Sequence, residues 1–150
     1  MKTAFIFRAL PGVGKSTIAK LLAEGFFHRL NLPAYFVNAK PEDVICSADD
    51  YFYEDGEYKF NPARLPEVHG KCFEKFTNLI TKNAELAIVD NTNVEHWQYA
   101  EYKKLAEDNG YQVHIIDLFD GGFTDEQLFK RNKHGVPLAG LKAMREGYEK

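Results

Sequence analysis

Gly12, Val13, Gly14, Lys15, Ser16 and Thr17 form the end of the run LPGVGKST at residues 10–17, an order of residue types suited to holding a polyphosphate. Glycines let backbone N–H groups curl around phosphate oxygens, a lysine ammonium reaches the β- and γ-phosphates, and a hydroxyl offers an oxygen to Mg²⁺. Gly14, Lys15 and Ser16 fill the second half of the Walker A pattern GxxxxGK(S/T), while Ala9 stands at the position of its first glycine. Alanine disfavours a positive φ, so Ala9 is expected in the β region, and Gly12 supplies the freedom within the loop. A plain strand-to-helix turn can carry the same glycines. Here an apolar run precedes the loop, a helical pattern follows it, and Lys-Ser-Thr falls at the helix N-terminus, where free N–H groups and the dipole favour an anion.

Two acidic strand ends could complete the chemistry. Residues 44–47 form a short continuous apolar run, as buried parallel strands do, and deliver Asp49, Asp50 and Tyr51 to its C-terminal end. Ligands of open parallel sheets sit beyond the carboxyl ends of the strands, so this acidic pair and the glycine loop should share one crevice. If the phosphate of a nucleotide is passed to an alcohol, a carboxylate must take the proton and orient the nucleophile in line. Asp49 is the expected base, with capping of the following turn as the alternative. Asp50 and Tyr51 are expected on the substrate, although Asp50 could equally cap. Asp90, after the apolar strand 86–89, could hold Mg²⁺ with Ser16 as a Walker B carboxylate does, or cap a buried helix. Thr92 and Asn93 follow at the same edge and either bind substrate or form a turn.

Arg131 is the remaining candidate. A helix opening on a capping-box spacing at Thr124 and Gln127 carries Lys130, Arg131, Asn132, Lys133 and His134. Such a helix can close over a nucleotide as a lid, its guanidinium neutralising charge on the moving phosphoryl group; a solvated basic face is the alternative. His28 reads as a solvated helix residue, and His69 and His134 as structural or solvent-facing.

These residues need a scaffold that brings strand ends together. Strands at residues 3–7, 44–47, 86–89 and 111–119 alternate with helices at 18–30, 66–82, 95–108, 124–134 and 138–148, a βαβ pattern that implies a parallel sheet covered on both faces. Along 18–30 the apolar face reads as Ile18, Leu21, Leu22, Gly25, Phe26 and Leu30, ended by Asn31-Leu32-Pro33. Trp97, Tyr102 and Leu105 are the expected apolar contacts of the helix 95–108. Asp55-Gly56 marks a small hairpin or irregular loop at 53–62. Within the insert 31–43, Tyr35-Phe36-Val37 is apolar enough for a short strand and residues 40–43 read as a turn; no role follows for it.

With 150 residues, 45% hydrophobic and 27% charged, the chain suits a single folded domain over 1–150. A net charge of −3 argues against a broad non-specific nucleic-acid footprint, leaving room for a local contact to a nucleic-acid end. Cys46 and Cys72 lack metal-ligand spacing and read as buried thiols. No apolar run reaches the ~20 residues of a membrane span, and Arg8 interrupts the first one, so no membrane partner and a cytoplasmic compartment are expected.

Taken together, LPGVGKST at 10–17, SADDYF at 47–52, YKFNP at 58–62, IVDNTN at 88–93, GYQV at 110–113 and FKRNKHGVP at 129–137 resemble the polynucleotide-kinase-like P-loop kinases. That family includes phage polynucleotide 5′-kinases and the kinase domain of NEDD4-binding proteins. The resemblance runs nearly end to end. It implies an adenylate-kinase-like α/β P-loop NTPase fold with a C-terminal lid helix, and ATP with Mg²⁺ as phosphoryl donor. It places the general base at Asp49 and the lid arginine at Arg131. One departure stands out: the phage enzymes carry a phosphate-holding arginine directly after DDY, where this chain has Phe52. The lid segment is also shorter, and Lys133 or His134 could replace a second lid arginine. The leading expectation is transfer of the γ-phosphate to a hydroxyl on nucleic acid, the 5′-OH of an end. The acceptor could instead be a hydroxymethylated DNA base, a nucleoside or another small alcohol; a reading of another class is an ATP-dependent binding module or switch.

Overall fold

The structure is a computed structural model, described for residues 2–29 and 40–150. Among them the chain runs β1 (Thr3–Ala9), α1 (Lys15–Arg29), β2 (Ile45–Cys46), β3 (Tyr53–Glu54), β4 (Glu57–Tyr58), α2 (Leu65–Thr81), β5 (Leu86–Asp90), α3 (Trp97–Asp108), β6 (Gln112–Phe119), α4 (Asp125–Arg131) and α5 (Leu138–Gly147). The main sheet has the order β2-β5-β1-β6 with every pairing parallel. Parallel neighbours need crossovers, and α1, α2 and α3 supply them on the two faces. The helix end and strand expected at 30–37 lie outside the described residues, as does the side chain of His28.

Alternation along β1 sorts the core. Ala4 and Ile6 pack with the α2 stripe Val68, Cys72, Phe76 and Ile80 and with Tyr99, Tyr102 and Ala106 of α3. Phe5 and Phe7 turn to the opposite face, against Ala19, Ala23 and Phe26 of α1. Cys46 and Cys72 are free and buried, and burial first, then the neighbouring Cys72, pushes the Cys46 thiol up to about 12. Both thiols therefore behave as small apolar side chains.

Three expectations about the helices are corrected. In α1 the buried positions are the alanines, with Leu22, Phe26 and Phe27 half-buried, whereas Ile18 and Leu21 are exposed; small residues at 19 and 23 let the helix lie close on the sheet. In α3 the helix begins at Trp97 itself, which leaves the indole 70% exposed with its N–H on the Glu95 carboxylate. The helix opening at Thr124 carries the expected capping box but ends at Arg131, so Asn132, Lys133 and His134 lie in the connector to α5.

The hairpin of β3 and β4 turns through Asp55 and Gly56, both left-handed at φ 51° and 82°. At the end of β6 the pairing with β1 slips by one residue, from Arg8↔Asp117 to Ala9↔Phe119. Phe119 takes a left-handed φ of 49° there, and its carbonyl accepts from Leu10 N–H at 2.9 Å. The bulge thus ties the last strand to the first residue of the glycine loop.

Leu141 buries the C-terminal helix against the loop core, and Arg145 adds a polar clamp. Arg145 reaches Asp120 Oδ2 at 2.6 Å, Asp125 Oδ1 at 2.7 Å and the Phe123 carbonyl at 2.9 Å. Its guanidinium, with the Gly122 N–H, holds the Asp120 carboxyl below the ordinary 3.8. A carboxylate with a depressed folded pKa stabilises fully above its unfolded value and loses that contribution as pH falls through the folded one. Arg145→Met should therefore melt at a lower temperature than the wild type at pH 5–7, and the gap should narrow below about pH 4. Thermal melts of both proteins across that range check it.

Candidate active site

The carboxyl ends of β1, β2 and β5 open onto a cavity of about 660 Å³. Gly12, Gly14, Lys15, Ser16 and Thr17 line it, and so do Asp49, Asn93, Arg131, Lys133 and His134. Ala9 closes β1 in extended conformation, and Gly12 and Gly14 take φ of 92° and 100°, as the loop chemistry requires. Gly14 starts α1, its carbonyl accepting from Ile18 N–H at 3.1 Å. The N–H groups of the first helical turn have no acceptor within the helix, which leaves them for an anion. Val13 differs from its neighbours: its side chain is buried with Leu10, Leu128 and Leu141, so only its backbone is available to a cofactor.

Asp90 ends β5 opposite Phe7 of β1, and this register sets its carboxylate under the loop. It is 4% exposed. Ser16 Oγ donates to Oδ2 at 2.9 Å, and Lys15 Nζ stands 2.8 Å from Oδ1 as an ion pair outside hydrogen-bond alignment. A buried carboxylate oxygen without a hydrogen-bond donor, beside a hydroxyl oxygen, fits a hard cation. Among the described residues no three His, Cys, Asp or Glu side chains gather to hold a metal unaided. Mg²⁺ would need only the Ser16 and Asp90 oxygens, its shell completed by phosphates and water.

Asp49 enters the cavity on a 3₁₀ turn, Ala48–Phe52, that follows β2. The side chain of Asn91 fixes the turn, Oδ1 accepting from Ala48 N–H at 2.9 Å and Nδ2 facing Cys72 Sγ at 3.5 Å. Tyr58 donates to Asp49 Oδ1 at 3.1 Å, while His134 Nε2 stands 3.8 Å from Oδ2. Burial and the Asp49 charge push the Tyr58 phenol well above its ordinary value, so it remains a donor. Neither Asn91 nor Tyr58 stood out in the sequence as a site residue, because an amide in the polar run after a strand and a phenol between Glu57 and Lys59 in a hairpin loop read as turn and surface residues. Both lie inside the motifs that carry the family resemblance, at 88–93 and 58–62.

Asp50 and Tyr51, expected on the substrate, do not line the cavity. A 3₁₀ turn rotates each successive side chain by about a third of a turn, which carries these two to the α2 side. Desolvation, partly opposed by Lys75, raises the Asp50 carboxyl, and the Tyr51 hydroxyl reaches the Lys71 carbonyl at 3.4 Å. Asn93 does border the cavity, but it is buried at φ 47° and its amide donates to the Phe7 carbonyl at 2.8 Å.

Arg131 lies on the loop itself. Nε donates to the Gly12 carbonyl at 2.8 Å, Nη2 to the Val13 carbonyl at 3.5 Å, and the guanidinium stacks 4.2 Å from the Phe123 ring centroid. The backbone of α4 is equally close, since a Cβ on Gly12 would stand 2.5 Å from the Leu128 carbonyl oxygen. The helix therefore rests directly on the loop.

A four-stranded parallel sheet with a glycine loop after its central strand and a helix laid over that loop is an adenylate-kinase-like P-loop fold. Two solved kinases share it. The Mycobacterium tuberculosis APS kinase CysC Cys556Ala mutant superposes with a TM-score of 0.51 at 16% identity, covering 86% of this chain and 93% of that one. A gluconokinase from Sinorhizobium meliloti 1021 gives a TM-score of 0.53 at 12% identity over 99% and 75%. Residues 5–150 match a protein family described as AAA domain, and the chain belongs to that family. Human NEDD4-binding protein 2 is 32% identical over 146 residues, 97% of this chain and 8% of the relative. Rat 2′,3′-cyclic-nucleotide 3′-phosphodiesterase is 30% identical over 151 residues, 99% of this chain and 32% of the relative. The chain thus spans less than a tenth of one relative and about a third of the other.

Gly12→Ala and Gly14→Ala both force alanine to a strained positive φ, which costs on the order of 1–3 kcal/mol. Only Gly12→Ala also collides with backbone, whereas at Gly14 the nearest atom to a new Cβ is Arg131 Nη2 at 3.7 Å. Gly12→Ala should therefore show the larger drop in melting temperature, measured side by side by circular dichroism.

Proposed function

We propose that this protein is an Mg·ATP-dependent kinase that transfers the γ-phosphate to a hydroxyl on nucleic acid, the 5′-OH of an end. The observation that carries the reading is the convergence of two chemistries on one cavity: a phosphate loop with Lys15, Ser16 and Asp90, and a carboxylate, Asp49, aimed into the same space. A switch that only binds nucleotide has no use for such a carboxylate. The kinase fold and the relative NEDD4-binding protein 2 support the reading.

In this reading the loop N–H groups and Lys15 bind and orient the phosphates of ATP. Mg²⁺, held by Ser16 Oγ and the Asp90 carboxylate, would supply charge neutralisation at the β- and γ-phosphate oxygens. Arg131 stands over the loop as the cation available to the phosphoryl group in flight. Asp49 accepts the proton of the acceptor hydroxyl. Tyr58 occupies Oδ1, so Oδ2 is the oxygen that receives it. Exclusion of water falls to the connector after α4, which brings Lys133 and His134 to the cavity.

Two variants test the division of labour. With γ-labelled ATP and 5′-OH oligonucleotides, Asp49→Asn should lose roughly 10²–10⁴-fold in turnover while still binding ATP, since asparagine keeps the shape but cannot take a proton. Lys15→Ala should lose roughly 10²-fold or more and also bind ATP less tightly. Labelling rates and a separate nucleotide titration provide both readouts; an active Asp49→Asn protein would remove the kinase mechanism.

A further inference from the structure

Five side chains form one wall of the cavity beside Asp49: Phe52, Tyr58, Phe60, Leu65 and His69. Phe60 is 54% exposed and meets Phe52 edge-on at 5.2 Å between centroids, and Tyr58 lies 4.5 Å from the His134 ring. His69 is exposed, yet partial desolvation by its neighbours, opposed by the Asp49 charge, lowers it below its ordinary 6.5 and leaves the ring mostly neutral at pH 7. The wall carries no cation. Among the described residues the Lys and Arg side chains that line the cavity are Lys15, Arg131 and Lys133, from the start of α1 and the end of α4 and its connector. Arg64 stands 5.8 Å from the centroid of the Phe52 ring but does not line the cavity; it pairs with Glu67 at 3.1 Å and Glu54 at 3.5 Å, and donates to the Tyr51 carbonyl. Phe52 is 1% exposed, and Phe60 is the more accessible ring of the pair.

We infer that this wall is the acceptor subsite and that it recognises the base of a terminal nucleoside by stacking, not the phosphate that follows it. The inference rests on the kinase reading above and adds how the acceptor is chosen. A flat aromatic base suits exposed ring faces, which are sequence-tolerant because every base has a π-face. A sugar acid would need a cation that the wall does not supply, and a small polyol would leave the exposed Phe60 ring and Leu65 without an apolar partner. An aromatic exposed next to a reacting carboxylate loses water contact when such a ring covers it, which favours binding through burial of apolar area. The chemistry is shared by a free nucleoside and a 5′-OH strand end. In both, the 5′-hydroxyl sits on the sugar next to the stacked base, within reach of Asp49.

The test compares four acceptors with γ-labelled ATP: a nucleoside, the same nucleoside carrying a 3′-phosphate, a 5′-OH oligonucleotide, and that oligonucleotide with an abasic 5′ residue. The inference expects the abasic end to lose about tenfold or more in kcat/KM, and the 3′-phosphate to change it by less than about threefold. It also expects Phe60→Ala to raise the KM for the base-bearing acceptor roughly 5- to 150-fold with the KM for ATP and the melting temperature unchanged. Preference for the oligonucleotide over the nucleoside, with the abasic loss intact, identifies strand ends as the source of the base; the reverse identifies free nucleosides. Equal use of the abasic end, a strict need for the 3′-phosphate, or an unaltered Phe60→Ala protein overturns the stacking subsite while leaving the kinase in place. Labelling of none of the four by the wild type overturns both.

Discussion

Arg8 is the buried charge around which the active end of the sheet is assembled. It sits on the central strand at 3% exposure, and a buried cation left unpaired costs several kcal/mol. Every neighbouring segment contributes to meeting that cost. Nε donates to the Asn93 carbonyl at 2.9 Å, Nη2 to the Val94 carbonyl at 2.9 Å and the Glu149 carbonyl at 2.5 Å, and Nη1 pairs with the Asp117 carboxylate at 3.1 Å. Tyr99 and Tyr148 cover the guanidinium at 5.2 and 4.6 Å. The loop after β5, the last strand and the residues after α5 are thereby drawn to one point, directly before the glycine loop. Asn93 is fixed from both ends, its carbonyl by Arg8 and its amide by Phe7, and the preceding Asp90 and Asn91 inherit that rigidity.

This explains which parts of the site were legible in the sequence. Gly12, Gly14, Lys15, Ser16 and Asp90 answer to rules of local order, strand then glycines then helix, and strand then carboxylate, so their convergence could be read before the fold was known. Asp49 was legible for the same reason. Asp50 and Tyr51 were not, because the choice between adjacent side chains depends on the turn geometry after β2, which a two-residue strand does not announce. Arg8 read only as a break in an apolar run; its partners lie 85 to 141 positions away, and no local pattern signals contacts of that range. The α1 face was misread because apolarity marked Ile18 and Leu21, while helix-to-sheet distance selected Ala19 and Ala23.

The lid expected at the C-terminal end takes a different form here. Gly12 has no Cβ, and the Leu128 carbonyl fills the space a Cβ would need, so α4 is packed onto the loop through backbone. With Arg131 bonded to the Gly12 carbonyl, moving α4 away would expose the loop's own apolar support, Val13 on Leu128. The connector 132–137 is tied to the same core, since Val136 packs against it. It is short, and Asn132 braces it at both ends by accepting from His134 N–H and donating to the Val136 carbonyl.

That connector meets the aromatic wall at Asp49. Tyr58 belongs to the hairpin that leads into the aromatic wall, and His134 to the connector that leads out of α4; their rings touch, and each faces a different oxygen of the same carboxylate. At 3.8 Å the imidazole is outside hydrogen-bond range of Oδ2, so that oxygen is shielded without being occupied. A hydroxyl delivered along the wall would meet the one Asp49 oxygen that neither neighbour has taken. In the proposed reaction the direction of attack would be set by three side chains outside the glycine loop: Asn91 holding the turn, Tyr58 holding Oδ1, and the ring of His134 closing the far side.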